Sequence, residues 1–457
     1  MRIGALERLT PSWSAIRVTW GDEHVREGSR RELVVPAGPL KIKWLAKHHS
    51  IIAGRQFIDE QERGPFRKWS HLHLCTDIGA GRSELEDRID YDFPLGRLGG
   101  IFGRSQVQWM LRTVFPWRHE RTWMDLSRHA EFADRPRLKV AISGASGLIG
   151  KSLKEFLQTG GHSVWTLDRK KSQRTESIYW NPRTGEIEAE KLEGLDAVVH
   201  LAGRSIADGR WTESVKQQIL DSRVQGTTLI AETISRLKTP PKVLISASAM
   251  GIYADSDGPV SEDGALGSTF TADVVKAWES SADAARKAGI RVVHPRISLV
   301  LSGWGGSLGR LLPVFRWGLG GKLGHGRQMM SWIHLDDLTA AIYRMIYDES
   351  LAGPVNCSTG AVSNQEFTKT LGHVLGRPTL FSVPELAIKT GFGQMGQELL
   401  LSSLNMRAEV LEKSGFRPWL SDLESAFRFE TGKPHRHQPP FHPVSLPQSG
   451  QNGYLIS

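Results

Sequence analysis

The sequence predicts an α/β protein built on a doubly wound parallel sheet, preceded by an α+β unit and followed by a small, mostly helical lobe. Three observations lead there. From Leu138 onward, short β-branched runs alternate with stretches of helical periodicity. A glycine-rich turn, Gly144-Ala-Ser-Gly147-Leu-Ile-Gly150, stands between the first of those runs and the first helix. Residues 1–130 alternate apolar and polar side chains instead, and close on one long amphipathic stretch. Against ~150 residues per domain, 457 residues give a prior of about three domains. The spacing divides the chain into 1–130, 137–360, 361–432 and a tail, 433–457, expected to be disordered because it is rich in Pro, His, Gln and Ser.

In the first segment, 32–49, 54–61, 67–77 and 83–93 read as antiparallel strands. Within the third, Trp69, His71 and His73 share one face and Leu72 and Leu74 the other. A helix is expected from roughly Ser105 to Arg128, with Val107, Met110, Leu111, Val114 and Phe115 on its apolar side. Strands followed by a long helix imply that the helix lies on a curved sheet. DRPR (134–137) reads as a short polar hinge and the domain boundary. His48, His49, His71, His73 and Cys75 match no closed tetrahedral spacing, so no metal is expected.

After the hinge, LKVAIS, HSVWTLD, DAVVHLAG, KVLISAS and IRVVHPRISLVL read as buried strands, with helices at about 213–237 and 271–288 between them. Right-handed crossovers then place helices on both faces of a parallel sheet. In the turn Gly144–Gly150, the first glycine permits the tight bend and the second lets a pyrophosphate approach the backbone. The third allows close packing of helix on strand, while the amides of Ser146, Gly147, Leu148, Ile149 and Gly150 face the anion. That is a Rossmann dinucleotide cradle. At the end of the second strand Asp168 suits the ribose 2′-hydroxyl of NAD(H), whereas Arg169 suits the 2′-phosphate of NADP(H). Leu201, Ala202 and Gly203, after the next strand, line the adenosine side.

Hydrophobic residues make up 39% and charged residues 23% of the chain, which excludes a wholly disordered or collagen-like protein. The net charge of +9 is spread without a block of one sign, so it reads as solubility and no nucleic-acid partner is expected. Two cysteines are too few for a disulfide framework, and MRIGALERLT lacks the apolar core of a cleaved signal. With no run near the ~18 apolar residues of a membrane span, a cytoplasmic protein is expected. The expected partners are a small-molecule substrate or an apolar ligand, and the oligomeric state stays open.

GASGLIG, DAVVHLAG and ISAS, in this order, resemble an extended short-chain dehydrogenase/reductase. WNPRTGEI (180–187), RSIADGRWTESVKQQILDSRVQGT (204–227), GGSLGRLLPVFRWGLGGKLGHGRQMMSWIHLDD (305–337) and GRPTLFSVPELAIKTGFGQMGQELLLSS (376–403) resemble the epimerase-family, nucleotide-sugar-epimerase-like subgroup. That subgroup carries a C-terminal domain of unknown function. The likeness spans about 138–430 and implies an NAD(P)-binding epimerase/dehydratase-like oxidoreductase, with NADP(H) favoured and NAD(H) the alternative. Residues 5–125 are similar to the polyketide cyclase/START-like (SRPBCC) superfamily, through ALERLTPSW, GPLKIKWLAKHH, GRQFIDEQERGPFRKWSHLH and the DYDFPLG turn. This implies a helix-grip fold around an apolar cavity. Met1 falls where that fold's first strand and first helix should already have passed, so the expectation is either a misassigned gene start or an incomplete N-terminal fold with an unpaired sheet edge.

The Tyr-x-x-x-Lys pair that such enzymes use as general base is missing. None of the six tyrosines has a lysine four residues on, and by resemblance the two places fall at Phe270 and Val274. Arg223 replaces the asparagine of the family's Asn-Val-x-Gly-Thr element. The acid/base set is therefore sought in Ser248 and Tyr253, with Arg223 and Arg327 as substrate contacts. His334 before Asp336-Asp337 reads as a helix-capping turn. The competing reading is a catalytically silent NADP(H) sensor or scaffold, or a carrier of an apolar ligand.

Overall fold

A computed structural model describes residues 2–22, 24–37, 40–79, 81–94, 97–434 and 453–456. The chain divides into two compact units, Met1–Ser127 with Arg428–Ser457, and Arg128–Phe427. The division thus falls ahead of DRPR rather than within it. The segment 361–432, expected as a separate lobe, belongs to the second unit as far as Phe427.

In the first unit six strands run as an antiparallel meander: β1 (Arg17–Gly21), β2 (Arg30–Ala37), β3 (Leu40–Ile52), β4 (Gln56–Arg63), β5 (Lys68–Gly79) and β6 (Arg82–Asp92). What reads in sequence as a single strand over 32–49 is two, paired from Arg30 opposite Lys47 to Ala37 opposite Leu40. The Gly38-Pro39 pair that separates the two in the sequence is the turn signal that outweighs the alternation. Helix α1 (Arg97–Ala130) is longer at both ends than the periodicity suggests. Its buried Val107, Leu111 and Phe115 meet Val35, Trp44, Ala46, Trp69, Ile89 and Tyr91 from the sheet. Trp44 packs edge to face on Trp69 at 4.9 Å and on Phe66 at 5.5 Å, and Tyr91 on Phe93 at 5.4 Å, so aromatic rings occupy this interior. The sheet edge at β6, rather than standing open, carries a short strand, Gly453–Ile456, in antiparallel register. Most of the tail expected to be disordered (435–452) lies outside the described residues.

The second unit is organised by a parallel sheet. Besides the two-residue strands Glu186–Ile187, antiparallel at the edge, and Ser248–Ala249, its strands are β7 (Lys139–Ser143), β8 (Ser163–Asp168), β9 (Ser177–Asn181), β10 (Ala197–His200), β11 (Val243–Ser246), β12 (Arg291–Ile297) and β13 (Gly353–Cys357). They lie in the order β9-β8-β7-β10-β11-β12-β13, all parallel. Strand order reverses between β7 and β10, which opens a crevice at their carboxyl ends. Helix α2 (Leu148–Thr159) buries Leu153, Phe156 and Leu157 against the sheet, each burial worth ~1.5–3 kcal/mol. Its end at Gly160-Gly161 falls where the sequence places it, with Gly161 at φ +88°. Helix α3 (Glu213–Ser235) and helix α4 (Phe270–Ser280) follow, α4 being a separate helix from Asp283–Lys287.

The segment 361–432 is mostly helical, as the sequence suggests, with helices Asn364–Leu375, Glu385–Phe392, Glu409–Lys413 and Leu423–Thr431, and short strands tie the remainder together. Met329–His334 pairs with Leu299–Leu301 and with Gly360–Ser363, and Gly321–Leu323 pairs with Phe381–Val383. Leu404–Met406 lies parallel to Ser256–Val260.

Candidate functional site

The turn between β7 and α2 is shaped by what its glycines lack. A Cβ on Gly144, whose φ is +71°, would stand 2.9 Å from the amide nitrogen of Ala202 at the end of β10. A Cβ on Gly150 would lie 2.2 Å from the carbonyl oxygen of Gly144, a contact no backbone relaxes cheaply. Gly147 is the N-cap of α2 and brings no side chain to the helix amides, and Ser146 and Gly147 are exposed. The first turn of α2 therefore presents free N–H groups and the positive end of the helix dipole to solvent at the strand-order reversal. The start of helix Gly306–Arg316 borders this turn, since a Cβ on Gly306 would lie 3.4 Å from the Leu148 side chain.

Across the crevice, Ser143 ties β7 to β10. Its hydroxyl accepts from the amides of Leu201 (3.1 Å) and Ala202 (3.3 Å) and contacts His200 Nδ1 at 2.6 Å. With both acceptor directions used, the hydroxyl proton goes to His200, which is then neutral with its proton on Nε2. Burial holds the His200 pKa down to about 3. Leu201 and Ala202, expected along the adenosine side, have their amides committed to Ser143 and so offer a ligand only carbonyls and side chains.

At the end of β8, Asp168 accepts from the hydroxyls of Thr166 (2.7 Å) and Ser177 (2.9 Å), both through Oδ2. Arg169 follows it and is exposed.

Arg223, expected as a substrate contact, is turned inward. Its Nη1 donates to the carbonyls of Arg204 and Ile219, each at 3.0 Å, and its guanidinium lies 4.9 Å from the Trp278 ring. Burial pushes its pKa down to about 10. It pins the turn after Gly203, because a cation on the rim of a buried aromatic finds carbonyl acceptors close by.

Arg327 is exposed, in a loop whose Gly324 amide donates to the Val383 carbonyl at 2.9 Å. His334 caps helix Leu335–Tyr347 by accepting from the Asp336 amide, and Asp337 accepts from the amides of Trp419 and Leu420.

Ser248 and Tyr253 do belong to one network, but three residues that the sequence does not single out, Glu279, Arg296 and Asn356, join them. Ser248 Oγ donates to Glu279 Oε1 at 2.6 Å. Arg296 grips both oxygens of Glu279 at 2.9 Å and donates to the Tyr253 hydroxyl at 2.8 Å. Tyr253 in turn donates to Asn356 Oδ1 at 2.7 Å. Ser248 is 2% and Tyr253 5% exposed, so both hydroxyls are committed within the protein. Burial raises the Tyr253 pKa, and Arg296 offsets only part of that rise. Burial also raises Glu279, but Arg296 and Ser248 outweigh it and hold the carboxyl below its usual range. The hydroxyls of the expected Ser/Tyr acid–base pair are thus both engaged by protein side chains. The places of the missing pair are apolar: Phe270 packs on Trp211 at 5.0 Å, and Val274 is buried. Glu398, from the C-terminal region, accepts from the Phe270 and Thr271 amides and closes the start of α4.

An open parallel sheet with a strand-order reversal, a three-glycine turn and an uncapped helix start defines a Rossmann protein of the extended dehydrogenase/reductase type. Residues 140–357 match the NAD dependent epimerase/dehydratase family, and residues 383–430 match a domain of unknown function, DUF1731. An epimerase family protein of Mycobacterium bovis is 38% identical over 297 residues, covering 65% of this chain and 98% of its own length. The chain belongs to this epimerase/dehydratase family. Among solved structures, the nucleoside-diphosphate sugar epimerase of Corynebacterium glutamicum is 30% identical with a TM-score of 0.76. That match covers 94% of this chain and 86% of the other, so it extends over both units. The human epimerase family protein SDR39U1, solved with NADPH, is 29% identical with a TM-score of 0.59, over 64% of this chain and 99% of its own.

Proposed function

We propose that the chain is an NADP(H)-dependent oxidoreductase or epimerase acting on a small molecule, with the cofactor pyrophosphate seated on the amides of Leu148, Ile149 and Gly150. The observation that carries this is the β7–α2 turn, where Gly144, Gly147 and Gly150 leave the room a diphosphate needs and no side chain caps the helix. The nicotinamide supplies hydride transfer when bound; the chain binds, orients and closes the site. Asp168 is held by Thr166 and Ser177, which leaves exposed Arg169 as the group for a 2′-phosphate. NADPH in the human relative supports the same preference.

Ser248, Glu279, Arg296, Tyr253 and Asn356 act as positioning residues that fix the strand ends β11 and β12 beside the crevice. Arg327 is the substrate-side cation. Its loop adjoins the exposed Phe381 and Val383, which suits a substrate with an anionic group next to an apolar part. The N-terminal unit is read as a START-like helix-grip domain, supported by its six-stranded meander against one long helix. Two free cysteines support a reducing, cytoplasmic setting.

Titration with NADPH and NADH, followed by quenching of tryptophan fluorescence, tests the reading. NADPH is expected to bind about tenfold or more tightly, and Arg169→Ala to remove most of that difference while leaving NADH unchanged. Equal affinities remove the role of Arg169, and binding of neither cofactor overturns the proposal. Oxidation of bound NADPH across a panel of carbonyl compounds then separates a turning-over enzyme from a silent binder.

A further inference from the structure

The inner face of the N-terminal sheet holds a cluster that the dinucleotide site does not use. His71 and His73 project from β5 on the same face, two residues apart. Asp59 on β4 lies opposite His71, and Asp87 on β6 lies opposite His73. His71 Nδ1 and His73 Nε2 converge on Asp59 Oδ2 at 3.2 and 3.0 Å. These three donor atoms all lie within 4.8 Å of one another. The other nitrogen of each ring goes to a single oxygen of Asp87, His71 Nε2 at 3.0 Å and His73 Nδ1 at 2.7 Å. His119 from α1 holds the second Asp87 oxygen at 2.7 Å.

We propose that Asp59, His71 and His73 bind one divalent transition-metal ion of the zinc type, with Asp87 orienting both imidazoles. The donor set is two nitrogens and one carboxylate oxygen, which suits such an ion. In a tetrahedral site with ligand bonds of 2.0–2.2 Å, donors stand about 3.3 Å apart, so the Asp59 contacts need to open by only a few tenths of an ångström. Metal-ligating histidines hand their far N–H to a carboxylate, and here one aspartate serves both. With the ion bound, each imidazole donates its far N–H to Asp87 and turns its remaining lone pair toward the metal.

Access runs from the Asp59 side. The Asp59 and His73 side chains keep 21% and 14% of their surface open, whereas His71 and Asp87 keep 5% each. That leaves a fourth position for water or a ligand, the arrangement of reactive rather than purely structural zinc sites. The spacing along the sequence hides the set because Asp59 comes from the neighbouring strand, while Cys75, two residues beyond His73, is exposed and outside it.

Chelator-treated full-length protein, titrated with zinc(II) by calorimetry and with cobalt(II) by visible absorption, tests the proposal. One ion per chain is expected. The binding should survive replacement of tail residues His435, His437 and His442 by Gln. It should disappear in the double variant His71→Gln/His73→Gln and in Asp59→Asn, the latter preserving side-chain shape where loss of both histidines disturbs folding; far-UV circular dichroism checks both. Asp87→Asn should keep the stoichiometry with affinity lowered about ten- to a hundredfold. Failure of the unaltered protein to bind either ion overturns the site, as does binding that persists in Asp59→Asn or vanishes with the tail histidines. An unchanged affinity in Asp87→Asn removes its orienting role. None of these readouts depends on the dinucleotide.

Discussion

At Gly150 one methyl group decides whether the crevice keeps its shape. A Cβ there meets the Gly144 carbonyl at 2.2 Å, so Gly150→Ala must push the helix start away from the strand. We expect a loss of about 1–3 kcal/mol in urea unfolding, together with weakened NADPH binding. At His200, 0% exposed and bonded through Ser143, the folded chain resists protonation down to about pH 3. The unfolded chain takes that proton near pH 6.5. The His200 contribution is therefore complete above that value and is lost as pH falls through it toward 3, by on the order of 1 kcal/mol per pH unit. Comparing urea unfolding of the wild type and His200→Gln across that range measures it; identical pH profiles would contradict it. The glycines were legible in the sequence because a turn between strand and helix admits few residues. The inward turn of Arg223 was not, since the Arg204 carbonyl and the Trp278 ring that hold it come from other segments of the chain.

Elements set which hydroxyls remain available. Strand β12 delivers Arg296, and helix α4 delivers Glu279, whose carboxylate takes two hydrogen bonds from the guanidinium. Their side chains are 6% and 15% exposed. Glu279→Gln leaves a buried guanidinium short of its counter-charge, with an expected loss of about 3 kcal/mol in chemical denaturation. Because the Glu279 carboxyl is held below its usual range, the stability it adds is full above the unfolded pKa. It is lost as pH falls through the ordinary carboxylate range toward the lower folded value. The variant should therefore show a shallower acid limb. Periodicity located α2 and α3 to within a few residues, since an apolar face at 3.6-residue spacing is a local property. It did not locate Leu404–Met406 or Phe381–Val383, three-residue strands that exist because a partner strand is adjacent.

On the scale of the whole chain, each unit has its own apolar core. One is centred on Trp44, Trp69 and Leu111, and the other lies on the two faces of the parallel sheet. Two calorimetric transitions are expected, with NADPH raising only that of residues 128–427 and zinc(II) only the other. At a hundredfold excess over Kd, the shift corresponds to ~2.7 kcal/mol. A single transition moved by both ligands would contradict this separation. The sequence by itself determined the parallel-sheet class, the glycine turn and the absence of a Tyr-x-x-x-Lys pair, because periodicity, φ-permissive residues and motif spacing are properties of neighbours in the chain. Only the tertiary structure decided that Ser248 and Tyr253 are bound up with Glu279 and Arg296, and that Asp59 and Asp87 flank His71 and His73. Those contacts join residues 12 to 43 positions apart, and register between strands and helices, rather than local composition, brings them within bonding distance.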